Sequence, residues 1–203
     1  MKPQKRAFKA FEKYLSTKLD NEKLNRVLDY ANSRYEELVK ENINDSDIIK
    51  THTETKIFPS IAIFEGLKKE GYSTEESSNF VDESMQIFAK PASTFLRTIL
   101  KIPGLYKKIP SIFESATKKK YGEDSGFKYK FYDTPKTQVK FDMLQCPYYE
   151  ITKKYNCPEI CKAFCHTDDL AYGNMHKYLK WNRTQTIGQG GKVCDFNITI
   201  KKD

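Results

Sequence analysis

The sequence is poor in apolar residues and has no long apolar run. Hydrophobic residues make up 38% of its 203 residues, and charged residues make up 31%. No stretch of about 18 consecutive apolar residues occurs, so the sequence predicts no transmembrane helix. The first residues, from Met1 to Glu12, are charged and amphipathic, and they lack the apolar core of a signal peptide. We therefore expect a cytoplasmic protein.

Cysteine is absent from the first two thirds of the chain. All five cysteines lie in the last third, at Cys146, Cys157, Cys161, Cys165 and Cys194. An odd number of cysteines in a chain without an export signal predicts free thiols. Thiols that are concentrated in this way indicate a site, because Leu and Ile fill a core without adding reactive groups.

The chain also lacks a continuous basic tract, although its net charge is +8. The lysines are scattered among glutamates, as on a solvated surface, so we expect no nucleic-acid partner. The 13 Tyr and 13 Phe offset the low aliphatic content and predict a folded protein. A chain of this length buries a core and a pocket, and we expect residues 1–203 to form a single domain.

Residues 1–120 carry apolar residues at helical spacing and predict a mainly helical part. Asp20 is expected to cap one helix, and Ser73 and Glu76 form a capping box for a later one. Proline is expected to interrupt two helices. In the predicted helix over residues 51–70, Pro59 either kinks the helix or marks its first turn. Pro91 either ends the helix that starts at Ser73 or begins another one.

Residues 95–113 are apolar and basic and are broken by Pro103 and Pro110. We expect short helices there that cover a pocket or an edge of the sheet. Whether the stretch is a lid, a dimer surface or a membrane contact stays open, and so does homo-oligomer formation. Residues 118–125 are charged and predict a flexible linker.

In residues 126–203 the apolar period changes to two. Residues 127–131 and 139–143 alternate around a turn at Pro135, which predicts a β-hairpin. After it the pattern predicts two helices and a second hairpin, over residues 147–156, 158–179, 181–187 and 193–200. The predicted fold class is α+β, with a helical N-terminal half and a hairpin–helix–hairpin antiparallel sheet that has helices on one face.

Cys157, Cys161 and Cys165 are four residues apart and fall on one stripe of the predicted helix. Three interpretations compete for this stripe. In the first, it faces the core, where free cysteine packs as a small hydrophobic residue. In the second, it holds a metal ion together with Cys146 or Cys194. Thiols one helical turn apart suit a single tetrahedral ion poorly, so we expect no metal.

In the third interpretation the stripe supplies a nucleophilic thiol. Cys161 lies one turn into the predicted helix, and Asp168 follows on the same element. Arg183 approaches from the apolar face of the predicted strand over residues 181–187. It either clamps an anionic ligand or pairs with Asp168 or Asp195, and the pattern does not choose between these roles.

The remaining candidates surround these residues in the sequence. Strand alternation places Thr184 and Thr186 on the face opposite Arg183. Cys194 and Asp195 are neighbours on the last strand, so their side chains point to opposite faces unless a bulge intervenes. A single site therefore cannot easily include both.

The spacing of these residues resembles one known family. The motifs that carry the resemblance are Cys146-Pro147, Pro158-Glu159-Ile160-Cys161, Phe164-Cys165-x-x-Asp168, Arg183-Thr184-x-Thr186-Ile187-x-x-Gly190 and Cys194-Asp195-Phe196. This pattern closely resembles the L-2-amino-thiazoline-4-carboxylic acid hydrolase family. Residues 58–63 and 67–73 also resemble the N-terminal part of that family, so the resemblance spans Thr51 to Phe196.

The resemblance implies hydrolysis of a small, carboxylate-bearing cyclic amidine, and we expect no cofactor. In the reaction that names the family, water adds to the ring carbon between sulfur and nitrogen, and the ring opens to a carbamoyl-cysteine. Given that chemistry, Cys161 or Cys165 attacks or orients the substrate while Asp168 transfers protons. In an equal alternative there is no covalent step, and Asp168 activates water.

The resemblance also implies roles for the residues of the last strands. Arg183 is the expected clamp for the substrate carboxylate. Thr184, Thr186, Cys194 and Asp195 are expected on the substrate-binding side. Two other functions compete with hydrolysis: a non-catalytic small-molecule sensor domain, and, more weakly, a zinc-stabilised interaction module.

Overall fold

A computed structural model describes residues 3–201, with side chains described from Ala7 onward except that of Phe88. Met1 and Lys2 of the predicted leaderless N-terminus lie outside this range. The described chain confirms the α+β class. Its α-helices are α1 (Pro3–Leu15), α2 (Asn21–Glu41), α3 (Asp47–His52), α4 (Phe58–Lys69), α5 (Thr74–Ile99), α6 (Ile109–Lys120), α7 (Pro147–Lys154) and α8 (Cys161–Tyr172). Its strands are β1 (Lys128–Phe131), β2 (Gln138–Gln145), β3 (Leu179–Asn182) and β4 (Cys194–Ile200).

Two helix starts form by the capping chemistry that the sequence predicts. The Asp20 carboxylate accepts a hydrogen bond from the backbone N–H of Lys23 at 2.8 Å and caps α2. Ser73 and Glu76 exchange both hydrogen bonds of a capping box at the start of α5. Each cap satisfies backbone N–H groups that the first helical turn leaves without partners.

The predicted helix over residues 51–70 is interrupted. Thr53–Ile57 form a π-helical turn that joins α3 to α4, and Pro59 lies in the first turn of α4. Proline has no N–H for the usual bond to the carbonyl one turn back, and a widened turn relieves the clash of its ring with that carbonyl. The prediction of a first turn at Pro59 is therefore confirmed, and Lys56 lies in the π-turn.

Two breaks that the sequence predicts are wrong. Helix α5 runs through Pro91 to Ile99, and the Ser93 hydroxyl in its second half donates to the Leu170 carbonyl at 3.0 Å. Packing against α8 thus maintains a helix that proline alone would end. The predicted linker over 118–125 is also structured, because α6 continues to Lys120 and a 3₁₀ turn, Glu123–Ser125, follows it.

The four strands form one antiparallel sheet in the order β1-β2-β4-β3, which confirms both predicted hairpins. The predicted strand over residues 181–187 is wrong beyond Asn182. Asp195 accepts hydrogen bonds from the backbone N–H groups of Thr184 and Gln185 at 2.9 and 2.8 Å, so these groups do not enter the ladder. The predicted helix over 158–179 is also shorter than expected, because α8 ends before Gly173.

One face of the sheet packs into the protein. Val139, Phe141 and Met143 of β2 are buried, together with Cys194 and Ile198 of β4. Helix α8 is held against α5 by contacts on its far side, where Lys162 donates to Asn79 and His166 pairs with Asp82. Helix α6 covers the end of the sheet, with the Phe113 ring 6.2 Å from that of Phe141. These elements leave a space between them.

Candidate functional site

The space is a cavity of about 170 Å³ between α8, α6, the π-turn and the buried face of the sheet. Helix α8 forms one wall, because residues three and four apart share one face of a helix. The residues of α8 that line the cavity are Cys161, Phe164, Cys165, Thr167, Asp168 and Tyr172. Cys161 and Cys165 of the predicted stripe therefore face the cavity, whereas Cys157 precedes α8 and does not line it.

Aromatic side chains provide most of the remaining surface. Phe141 and Phe196 on neighbouring strands stack with centroids 4.7 Å apart and form the floor. Phe113 from α6 and Tyr121 just after it line the opposite side, and Tyr148 from α7 closes one end. The Tyr148 hydroxyl is 2.9 Å from Nδ1 of the partly buried His52. Such a lining suits a small ring with a few polar groups.

Four of the five cysteines line this cavity. Cys161 hydrogen-bonds with Cys146 and with Cys165, and Cys194 accepts a bond from the backbone N–H of Ile187 at 3.2 Å. Cys157 is different, because it precedes the helix and its buried thiol donates to the Thr152 carbonyl at 3.4 Å. Among the described residues all five thiols are free, as predicted.

The hydrogen bonds make the thiols of α8 unequal. The pKa of Cys165 is lowered, and the largest cause is the hydrogen bond from Cys161. Burial acts in the opposite direction, whereas the hydrogen bond with Thr186 and the charge of Arg183 lower the pKa further. The bonds to Cys146 and Cys165, followed by burial, raise the pKa of Cys161. Burial raises the pKa of Cys194 to about 12. Of the thiols of Cys161, Cys165 and Cys194, that of Cys165 therefore becomes a thiolate most readily.

Arg183 is held mainly by the protein. Its side chain is 3% exposed, and its Nη1 donates to Asp168 at 3.1 Å. Its Nη2 donates to the Cys165 carbonyl and to Asp169, both at 2.7 Å. Burial works against this charge, but the two carboxylates overcome it and raise the pKa of Arg183. The ion pair with Asp168, which the sequence left as one of two roles, is present.

Asp168 combines accessibility with a low-polarity environment. Its side chain is 37% exposed, and it lines the cavity. Burial raises its pKa from 3.8 to about 6, although the charges of Arg183 and Lys56 act in the opposite direction. Exposure and a pKa raised by burial are compatible because the exposed surface of Asp168 faces the cavity. Water in the cavity reaches the carboxylate, although protein surrounds it. A group with this pKa can accept and return protons near neutral pH.

The other predicted residues lie outside the cavity lining. Asp195 binds the hydroxyl of Thr184 at 2.6 Å as well as the backbone of that segment. These bonds overcome the effect of burial and lower the pKa of Asp195. Thr186 is buried behind Cys165, and its hydroxyl is 2.9 Å from Gln189 Oε1. Strand alternation correctly separates Cys194, which lines the cavity, from Asp195.

Sequence reasoning missed the polar residues that other elements contribute. Lys56 from the π-turn, Lys120 at the end of α6, Tyr121 and Tyr148 all line the cavity. No sequence motif distinguishes Lys56 and Lys120 from the other lysines of this lysine-rich sequence. Pro59 was the one available signal for an irregular turn near Lys56, and such turns often occur at functional sites.

The geometry offers no obvious metal centre. Within residues 3–201, no group of three or more His, Cys, Asp or Glu side chains is arranged to hold a metal ion. No helix in this range has the length and apolar content needed to cross a membrane. The candidate site is thus a small aromatic cavity lined by four thiols, one carboxylate and three cationic side chains.

Comparisons with known proteins agree with the sequence motifs. No curated protein matches this sequence at a significant level. The structure of an Fe(II) unliganded H-NOX protein from K. algicida aligns over 97% of this chain and 96% of its own, with 12% identity and a TM-score of 0.32. Similarity this low supports no conclusion. The family model for L-2-amino-thiazoline-4-carboxylic acid hydrolase matches residues 50–198, and the chain therefore belongs to that family.

Proposed function

We propose that the protein hydrolyses a small cyclic amidine such as L-2-amino-thiazoline-4-carboxylate and opens its ring to a carbamoyl-cysteine. The observation that carries the proposal is the presence of Cys165 and Asp168 on one face of α8, both lining the same cavity. Family membership supports the reaction class. The size also fits, because a cavity of about 150 Å³ accommodates benzene, and a five-membered ring is of similar size.

Cys165 is the proposed nucleophile. Asp168 accepts its proton, and the thiolate forms a bond to the amidine carbon of the ring. The bond from that carbon to the ring sulfur breaks, and the sulfur takes the proton from Asp168. The product of this half-reaction is a ring-opened isothiourea attached to Cys165. A pKa of about 6 allows Asp168 to act as base and then as acid.

Water completes the reaction. Asp168 accepts a proton from a water molecule, whose oxygen attacks the isothiourea carbon. The bond to Cys165 then breaks, the thiolate recovers the proton, and the carbamoyl group remains on the released cysteine. Tyr121 and Tyr148 stay protonated, since burial raises the pKa of Tyr121 to about 12 and holds the pKa of Tyr148 well above its usual value. Their hydroxyls are suitable donors to the ring nitrogen.

The experiment is to incubate purified protein with L-2-amino-thiazoline-4-carboxylate and to follow the loss of ring absorbance. Mass spectrometry then identifies the product. We expect turnover to carbamoyl-cysteine, with one oxygen atom from labelled water. A folded protein that consumes neither this ring nor related cyclic amidines would contradict the proposal.

A non-catalytic ligand-binding domain is the second candidate function. The aromatic floor formed by Phe141 and Phe196 favours it, because such a surface binds flat rings without any chemical step. The two candidates differ in one outcome. Saturable binding of the ring, measured by calorimetry and without product, would replace hydrolysis by ligand sensing.

The thiols also suggest where the protein works. All five cysteines are free, although Cys161 hydrogen-bonds with two other thiols. Such an arrangement persists in a reducing compartment, since oxidising compartments favour disulfides. We therefore assign the activity to the cytoplasm, with a small carboxylate as the substrate.

A further inference from the structure

The cavity has more positive than negative charge. Lys56, Lys120 and Arg183 line it, whereas Asp168 is the single carboxylate in that lining. The lining therefore carries a net charge of +2 when Asp168 is ionised. Arg183 is already neutralised by Asp168 and by Asp169 behind it. The excess charge thus belongs to the two lysines.

The environment of Lys56 makes it the stronger candidate for a ligand contact. Its surroundings desolvate the ammonium and lower its pKa, and Asp168 partly restores it. The side chain nevertheless keeps accessible surface. An open cavity explains both facts, because solvent reaches the ammonium through the space that a ligand would fill. Among the described side chains no carboxylate lies within salt-bridge distance of Lys56, and Asp168 acts on its ammonium only at longer range, so a bound anion can contact the ammonium directly.

We infer that Lys56 binds the carboxylate of the substrate, and that Arg183 positions Asp168 instead. This inference rests on the proposed function and names the residue that selects acidic rings over neutral or basic ones. The π-turn brings Lys56 into the same cavity lining as Cys165, so a carboxylate bound by Lys56 keeps the ring inside the cavity that Cys165 lines. Lys120 adds charge at the same side.

Arg183 is less suited to the role of clamp. Three of its N–H groups are donated to acceptors within the protein, and its guanidinium lies 5.5 and 5.4 Å from the ring centres of Trp181 and Phe196. Only two of its five N–H groups remain for a ligand, and a substrate carboxylate bound there would lie beside the negative charges of Asp168 and Asp169. Lys56 has no carboxylate within salt-bridge distance among the described side chains, and an ammonium binds a carboxylate from any direction.

The test compares two ligands with three proteins. The ligands are L-2-amino-thiazoline-4-carboxylate and 2-amino-2-thiazoline, which lacks the carboxylate. The proteins are the wild type, Lys56→Met and the matched control Lys119→Met, whose exposed side chain lies outside the cavity lining. Calorimetry gives the dissociation constants, and product mass gives turnover. Thermal unfolding verifies that each variant folds.

We expect Lys56→Met to bind the carboxylate ligand about 10- to 100-fold more weakly, the usual effect of losing a charged hydrogen bond. Its affinity for 2-amino-2-thiazoline should not weaken, and Lys119→Met should match the wild type. Removing the cation should also raise the pKa of Asp168, so the acid limb of the pH profile should move to higher pH.

The outcomes separate the two claims. Turnover by the wild type, with an unchanged ligand preference in Lys56→Met, would overturn the assignment of Lys56 and leave the proposed hydrolysis intact. Binding that depends on Lys56 without any turnover would support the assignment and contradict hydrolysis. A wild type that binds neither ring, or that binds both equally, would overturn the assignment as well.

Discussion

Cys161 and Cys165 lie one turn apart on α8 and share a hydrogen bond that raises the pKa of the first thiol and lowers that of the second. Two cysteines that look equivalent in the sequence therefore have different chemistry. We propose that Cys161 serves as the donor and that Cys165 is the thiol that attacks. The proposal gives the two buried thiols different roles, since one donates a hydrogen bond and the other reacts.

The difference between the thiols predicts their order of alkylation. At pH 6 to 7, iodoacetamide should modify Cys165 before Cys161, Cys157 or Cys194, because burial raises the pKa of the last two to about 12. Peptide mapping by mass spectrometry after short exposures measures this order. Preferential labelling of Cys194 in the native protein would contradict the assignment of the reactive thiol.

The raised pKa of Asp168 predicts a pH profile. As the acceptor of the first proton, Asp168 must be ionised in the free enzyme. The value of kcat/KM should therefore rise with pH through about 6 and level off above it, because protonation below that pH removes the base. Asp168→Asn should abolish this limb and lower kcat by about 100-fold or more. An acid limb near pH 4 would mean that another group titrates.

Removal of Arg183 should affect both stability and the pH profile. Arg183→Met leaves Asp168 and Asp169 without their cation, and the loss should cost about 1–3 kcal/mol of unfolding free energy, because the arginine is buried but both carboxylates are partly exposed. The acid limb should also move to higher pH, since the charge of Arg183 lowers the pKa of Asp168. Urea unfolding and kcat/KM profiles measure the two effects. A variant with wild-type stability and an unshifted limb would contradict the positioning role.

Gly188 provides a structural test of the thiol pair. A Cβ at this position would lie 2.8 Å from Cys161 Sγ and 3.2 Å from its Cβ, so Gly188→Ala must displace the Cys161 side chain. Such overpacking costs about 1–3 kcal/mol. Displacing Cys161 should also slow alkylation of Cys165 at pH 6, because the donor that stabilises the thiolate is lost. Unchanged alkylation in a destabilised variant would show that Cys161 does not tune Cys165.

Sequence periodicity predicted most of the fold and part of the cavity lining. The caps at Asp20 and Ser73, both hairpins and the shared face of Cys161 and Cys165 on α8 are local patterns, and each is confirmed. Cys157, the third member of the predicted stripe, lies outside α8. The end of β3 before Arg183 could not be predicted, because it depends on hydrogen bonds that the carboxylate of Asp195 on the next strand accepts. Lys56 was missed for a similar reason, since only the packed structure brings the π-turn to α8.

The measurement that tests the account most directly is the rate of L-2-amino-thiazoline-4-carboxylate hydrolysis by Cys165→Ser and Cys157→Ser. Both thiols are buried, but Cys165 lines the cavity and Cys157 does not. We predict a loss of about 100-fold or more in kcat for Cys165→Ser, because serine is a poor nucleophile without thiolate chemistry, and a nearly unchanged rate for Cys157→Ser. Comparable activity in the two variants would contradict the assignment of Cys165 as the nucleophile.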